Sequence, residues 1–121
     1  MTTRQYLNQL NTVNKKLYLN FMRRVEQSDD TCPTLQQINE QVDFRDLLEK
    51  QIAEAISSVT PKQIRAIFEL RHIQNMRFSR IAREYGTDIK TIKIWYQEAL
   101  PMVIIPENPI DIRNYEDIFQ C

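Results

Sequence analysis

The chain has 121 residues, of which 42% are hydrophobic, and it contains one glycine against five prolines. This composition excludes a turn-rich β fold and indicates one small helical domain. No apolar run approaches the ~18 residues of a membrane span, and the polar start MTTRQYLNQL has no apolar signal core, so we expect a cytoplasmic protein.

The charge of the chain is balanced overall but unevenly distributed. Lys and Arg together number 16, as do Asp and Glu. Residues 61–100 carry eight basic and four acidic side chains, whereas residues 101–121 carry one basic and four acidic ones. A basic block beside an acidic tail indicates an anionic partner that contacts the block alone.

The first half of the sequence has the pattern of two amphipathic helices. Apolar residues at intervals of three and four predict one helix from residue 3 to about 27 and another from about 34 to 58. Because a short polar break separates helices of similar length, we expect residues 1–59 to form an antiparallel helical hairpin. Its apolar seam could pair with a second copy, so this unit is the candidate dimerisation surface.

The sharpest boundary in the sequence lies at residues 60–63. Thr60 is expected to cap the next helix, Pro61 suits the first helical position, and Gln63 completes a capping box. The spacing of apolar residues predicts that this third helix continues to about residue 75.

Residues 78–99, FSRIAREYGTDIKTIKIWYQEA, predict two short helices joined by a tight turn. The turn contains Gly86, the one glycine of the chain, at a position where a left-handed backbone excludes most other residues. Asp88 is a good N-cap for the second helix. This combination is typical of a helix-turn-helix.

The inward side of the helix pair is predicted from small and apolar residues. Ala82 lets the two helices approach closely, and Ile92 points from the second helix onto the first. We expect Trp95 to continue this inward stripe, because large aromatic side chains are usually buried.

The last residues change character. Three prolines within residues 101–109 exclude an α-helix, and apolar residues alternate with acids in the rest of the tail. The tail either folds back over the core or binds another protein. The predicted fold is therefore all-α, with a hairpin (residues 1–59), a three-helix helix-turn-helix domain (residues 60–100) and a non-helical tail (residues 101–121).

The outward face of the second helix of the pair carries side chains that can read base edges in a major groove. These candidate base contacts are Lys90, Lys93, Ile94 and Gln97. Alternatively, the two lysines only keep this face of the helix solvated, but an exposed isoleucine is unusual on such a face. Other residues suit phosphate contacts, which supply affinity without sequence information. These candidates are Lys62, Arg65, Arg71, Arg77, Arg80, Arg83 and Thr91.

Nothing in the sequence indicates an enzyme, a metal or a cofactor. The one histidine, His72, has no Cys, Asp or second His at ligand spacing, and it is expected to be an ordinary surface or core residue. The chain has no glycine-rich phosphate loop and no recognisable nucleophile–base pair. Cys32 and Cys121 are isolated and are expected to be free thiols.

Residues 69–100 resemble the C-terminal promoter-reading region of bacterial sigma factors. The matching residues are Leu70, Arg71, His72, Ile81, Ala82, Gly86, Thr91, Ile92, Ala99 and Leu100. The start of the chain, the predicted hairpin and the short length look like the small phage sigma-like regulators of the RinA and ArpU type. Those proteins are encoded by phages and prophages of Gram-positive bacteria and are implicated in switching on late genes. The resemblance implies a helix-turn-helix transcription regulator.

The leading hypothesis is a DNA-binding transcription regulator, encoded by a phage or mobile element, that binds double-stranded DNA as a homodimer. RNA polymerase or another host or phage protein is a candidate partner of the acidic tail. Two alternatives stay open. One is a protein-binding antagonist or adaptor on the same scaffold, which the exposed Ile89 and Ile94 favour. The weaker one is the DNA-recognition subunit of a phage packaging machine.

Overall fold

The computed structural model describes residues 1–26 and 33–120, and its regular elements in these ranges are all helical. The α-helices are α1 (Thr3–Leu7), α2 (Gln9–Glu26), α3 (Leu35–Ile56), α4 (Lys62–Phe68), α5 (Phe78–Tyr85) and α6 (Ile89–Ala99). The all-α prediction is confirmed. Within the described ranges, none of the helices has the length and apolar character needed to cross a membrane. Cys32 and Cys121 lie outside the described residues.

The first predicted helix is divided into α1 and α2 at Asn8. The backbone of Asn8 departs from the regular helix, with a ψ of −8°. Beyond the break, the buried Gln9 donates from Nε2 to the Tyr6 carbonyl oxygen at 3.2 Å and to the Ile110 carbonyl oxygen at 2.8 Å. The break at Asn8 thus precedes a buried polar residue, Gln9. The regular spacing of apolar residues predicts neither the break nor the burial of this glutamine.

Helix α3 runs antiparallel to α1 and α2. The Tyr6 hydroxyl donates to Gln51 Oε1 in the second half of α3 at 2.8 Å. Asn20, late in α2, donates to Gln41 Oε1 in the first half of α3 at 3.2 Å. These two contacts join α1 to the second half of α3 and the later part of α2 to the first half of α3.

One continuous core joins the early helices to the late ones. Its fully buried members include residues of every α-helix, together with Val59 between α3 and α4: Tyr6, Leu7, Leu10, Val13, Leu48, Ile52, Ile56, Val59, Ile67, Phe68, Ile81 and Ile92. Burying a side chain of this size contributes roughly 1.5–3 kcal/mol. Residues 1–59 and 60–100 are therefore packed against each other and stabilise each other.

The predicted cap at Thr60 is wrong. The N-cap of α4 is Pro61, which makes no side-chain cap hydrogen bond, whereas the Thr60 hydroxyl lies 3.9 Å from Met102 Sδ. Pro61 occupies the N-cap position with an extended backbone, whose ψ is 175°. After Phe68 the helix widens into a π-helical turn over Glu69–Ile73, and His72 in this turn is buried.

The turn between α5 and α6 has the predicted chemistry. Gly86 adopts a left-handed conformation with φ 67° and ψ 32°, and the Thr87 amide donates to the Ala82 carbonyl oxygen at 3.0 Å. Asp88 caps α6, because its Oδ1 accepts from the Thr91 amide at 2.8 Å. The predicted roles of Gly86 and Asp88 are confirmed.

The described part of the tail lies back on the core. It has no α-helix and contains short 3-10 turns at Leu100–Met102, Ile112–Asn114 and Glu116–Phe119. Two buried glutamines, Gln9 and Gln41, bind its backbone. The Ile112 amide donates to Gln9 Oε1 at 2.8 Å, and Gln41 Nε2 donates to the Ile118 carbonyl oxygen at 3.0 Å. This part of the tail has no α-helix, as its prolines predict, but the three 3-10 turns were not predicted; Pro101 lies at the start of the first of them.

Replacing the turn glycine tests how much the left-handed backbone matters. We expect Gly86→Ala to lower the free energy of unfolding by about 1 kcal/mol, because an L side chain disfavours this conformation. No heavy atom lies within 4 Å of the added Cβ, so a steric clash adds nothing. Urea denaturation measures the change. Gly86→Asn is the matched control and should lose less, since asparagine tolerates left-handed backbone. An alanine variant as stable as wild type would contradict this account.

Candidate nucleic-acid interface

The four candidate base contacts share one exposed side of α6. Together with two neighbours they line an open groove of about 570 Å³, here called the α6 groove. Its lining residues are Ile89, Lys90, Lys93, Ile94, Gln97 and Glu98. The structure therefore brings together the residues predicted to read bases, and it adds one apolar and one acidic side chain to them.

The outward direction of this face follows from how the other side of α6 is held. Ile92, Tyr96 and Ala99 are buried at intervals of four and three, which places one stripe of the helix in the core. The opposite stripe must then face solvent. Ile94 is 46% exposed and Ile89 42% exposed, so the groove keeps an apolar floor beside its charges.

The prediction that Trp95 belongs to the core is wrong. Trp95 is 37% exposed, whereas Tyr96 is 3% exposed and occupies the inward position. The Tyr96 ring stacks on Phe68 with centroids 4.5 Å apart, and its hydroxyl lies 2.7 Å from His72 Nε2. Both positions 95 and 96 fit a helical stripe that starts at Ile92. Tyr96 occupies the buried position because its hydroxyl finds a hydrogen-bond partner there in His72.

The lysines of the α6 groove are free to bind a ligand. Neither Lys90 nor Lys93 forms an ion pair or hydrogen bond with any residue of the described ranges. Glu98 brings one carboxylate to the same groove. The face thus offers ammonium groups, a carboxamide and isoleucine methyls, which are the groups that read guanine, adenine and thymine edges in a major groove.

The candidate phosphate contacts divide into free and engaged side chains. Among described residues, Lys62, Arg77 and Arg83 are exposed and have no ion-pair partner. Two other candidate arginines form ion pairs. Arg80 lies 3.8 Å from Glu84, and Arg65 lies 3.7 Å from Glu69. Such exposed pairs contribute little to stability and are easily exchanged for a phosphate.

Thr91 is half-buried at the start of α6, where its backbone amide and side chain both bond to Asp88. These bonds hold the pKa of the Asp88 carboxyl below its usual range. The amide of Thr91 is therefore already occupied, so this residue is a weaker phosphate candidate than the sequence suggests.

A second depression adjoins the α6 groove and shares Lys93 and Gln97 with it. It has a volume of about 420 Å³ and is here called the Arg4 pocket. Arg4, Arg71 and Lys93 line it, with Asn8 and Gln97 as polar neighbours and the rings of Phe78 and Tyr96 as walls. Sequence reasoning missed Arg4, because no local pattern connects the start of α1 with α6.

His72 and Tyr96 form a buried polar pair behind the Arg4 pocket. His72 is 4% exposed. Burial, and then the charges of Arg71 and Arg4, lower the pKa of His72 to about 3, while a hydrogen bond with the Leu7 backbone acts in the opposite direction. The imidazole is therefore neutral at pH 7, and the Tyr96 hydroxyl can donate to its Nε2.

The side chains that line the α6 groove and the Arg4 pocket are suited to binding a ligand through hydrogen bonds and charge. They are cations, carboxamides, aliphatic side chains and aromatic edges. Over residues 1–26 and 33–120, no three His, Cys, Asp or Glu side chains are grouped so that they could hold a metal ion.

The comparisons with known proteins add no relative. The chain matches no family model, no curated protein and no solved structure.

The buried histidine predicts a loss of stability in acid. Between pH 6.5 and about 3 the unfolded chain binds a proton on His72 that the folded chain rejects, so stability falls as the pH falls through this window. At pH 5 the free energy of unfolding is expected to be about 2 kcal/mol lower than at neutral pH. Thermal unfolding of wild type and His72→Gln between pH 5 and pH 7.5 measures it. The variant should be less stable at pH 7.5 but show a shallower decline toward pH 5. Parallel declines would contradict a neutral, buried imidazole.

Proposed function

We propose that the chain is a sequence-specific DNA-binding transcription regulator, encoded by a phage or mobile element. In this proposal α6 lies in the major groove of double-stranded DNA. The observation that carries it is the α6 groove, where unpaired lysines, a glutamine and exposed isoleucine share one face of a helix whose other face is fixed in the core. The resemblance of residues 69–100 to the promoter-reading region of sigma factors points to the same partner.

The proposal treats α5, the turn at Gly86 and α6 as a helix-turn-helix. The contact between the two helices supports it, because Ile81, Ala82 and Ile92 are all buried where they meet. The capped and anchored α6 is a rigid element, and an α-helix fits a major groove of roughly 12 Å width. Under this interpretation α1, α2 and α3 form the supporting hairpin.

Each side chain of the α6 groove has a base edge that suits it. Lys90 and Lys93 can donate to the acceptors of guanine, Gln97 can bond adenine in bidentate fashion, and the Ile94 methyls can contact a thymine methyl. Each good contact of this kind discriminates by about 1–3 kcal/mol against a wrong base. Exposed cations such as Lys62, Arg77 and Arg83 would add phosphate contacts that position the protein without reading sequence.

Dimerisation would pass through the first half of the chain. Four large apolar residues on α2 are more than half exposed: Tyr18, Leu19, Phe21 and Val25. Pairing this face with a second copy would bury it and present two α6 helices to two half-sites. The exposed acids of the tail, such as Glu107 and Asp117, are the candidate contact for RNA polymerase or another protein.

A protein-binding antagonist or adaptor is the second candidate function. The apolar floor of the α6 groove favours it, because Ile89 and Ile94 are both more than 40% exposed. Purification of the protein from host cells distinguishes the two. A stoichiometric protein partner that survives nuclease treatment supports the adaptor, whereas DNA alone argues against it.

The base-reading role predicts a selective loss of binding. A pool of random DNA duplexes is selected on the wild-type protein, and the preferred duplex is then titrated with Lys90→Ala/Lys93→Ala. We expect this variant to bind the selected duplex at least tenfold more weakly, since it loses contacts of about 1–3 kcal/mol each. Lys15→Ala/Lys50→Ala removes the same charge from exposed positions of α2 and α3 and should bind nearly as well as wild type. Equal, weak binding by all three proteins, without sequence preference, would contradict the proposal.

A further inference from the structure

We propose that the Arg4 pocket is a phosphate-binding site that holds a phosphodiester group of the bound DNA, next to the bases read by the α6 groove. The inference rests on the proposed function and adds α1 to the DNA-binding surface. Among the residues that line the pocket, Arg71, Lys93 and Gln97 already carry a predicted role in DNA binding, whereas Arg4 does not.

Charge is the first observation. Three cations from three separate elements line the pocket: Arg4 from α1, Arg71 from the π-helical turn and Lys93 from α6. No carboxylate lines it. None of the three forms an ion pair with a residue of the described ranges. In a chain with a formal net charge of zero, such a concentration of unpaired positive charge is a site for an anion.

The two guanidinium groups are held in place by aromatic rings. The Arg71 guanidinium carbon lies 4.6 Å from the centroid of the Phe78 ring, and its Nη1 donates to the Met76 carbonyl oxygen at 3.3 Å. The Arg4 guanidinium carbon lies 5.7 Å from the centroid of the Tyr96 ring. Because the two rings contact each other edge to face at 5.3 Å, both cations are fixed to one rigid unit. An anion that binds there orders few additional side chains, which favours affinity.

The electrostatic effect of these cations reaches the residues behind the pocket. After burial, the charges of Arg71 and Arg4 are the next causes that lower the pKa of His72. The same two charges lower the pKa of Tyr96, against the larger effect of burial, which raises it. This agrees with the lining of the pocket, which contains no carboxylate.

The position of the pocket relative to the α6 groove identifies the source of the phosphate. Lys93 and Gln97 line both depressions, so a phosphate in the pocket would lie beside the bases contacted by α6. Arginine guanidinium groups match phosphate oxygens in a bidentate manner, and the carboxamides of Asn8 and Gln97 supply further donors. A contact of this kind fixes the register of the protein on the duplex. Free inorganic phosphate has the same chemistry and is the other source to be tested.

The test compares the salt dependence of binding to the selected duplex in wild type and Arg4→Gln. Each phosphate contact contributes roughly 0.9 to the slope of log affinity against log salt concentration, so Arg4→Gln should reduce that slope by about 1. Its affinity should fall by a similar factor for the selected duplex and for an unrelated one. Arg4→Lys keeps the charge and should retain the wild-type slope, and Lys50→Gln removes a charge from an exposed position of α3 and should also retain it.

The outcomes separate this inference from the proposed function. If Arg4→Gln keeps the wild-type slope while Lys90→Ala/Lys93→Ala loses binding, the phosphate site is wrong and the DNA-binding function stands. If no duplex binds, but inorganic phosphate shifts the NMR signals of the Tyr96 ring in wild type and not in Arg4→Gln, the pocket binds a free anion and DNA as the source is wrong. A reduced slope in Arg4→Gln, with unchanged melting temperature, supports the inference.

Discussion

The aromatic cluster of Phe68, His72 and Tyr96 is the contact on which the position of α6 depends. Phe68 and Tyr96 stack at 4.5 Å, and the Tyr96 hydroxyl is bound by the buried imidazole of His72. His72 lies in the π-helical turn after α4 and is buried there. Since α6 is fixed through this cluster at its centre and through the Asp88 cap at its start, the side chains on its other face have a defined direction in space. Under the proposed function, this preorganisation lowers the entropic cost of contacting bases at fixed positions.

The helices around this cluster could be predicted from the sequence because their signals are local. Gly86 has to adopt a positive φ, and Asp88 bonds to an amide three residues away. The choice between Trp95 and Tyr96 could not be predicted in this way. Periodicity allows either residue inside, and the deciding partner, His72, is 24 residues distant in the chain. The predicted cap at Thr60 is wrong by one residue, since the neighbouring Pro61 occupies the N-cap position.

The position of the tail also depends on partners that are distant in the sequence. Its prolines exclude an α-helix, but nothing local indicates where its backbone groups find partners. The structure provides them through the carboxamides of Gln9, Gln41 and Gln51, which lie 59 to 103 residues away from the tail positions that they bind. A glutamine can donate and accept at once, so one side chain satisfies both kinds of backbone group. In the sequence these glutamines resemble ordinary surface residues of amphipathic helices.

The two depressions beside α6 differ in how far the sequence predicts them. The α6 groove follows from helical period alone, whereas the Arg4 pocket exists only because the shared core brings α1 next to α6. Placing three unpaired cations together destabilises a folded chain through repulsion. The structure moderates this with ring faces instead of carboxylates, which leaves the positive charge available. A carboxylate partner would stabilise the free protein more but would compete with an incoming anion. Under the proposed phosphate site, a bound phosphate supplies the anionic partner that the three cations lack in the free protein.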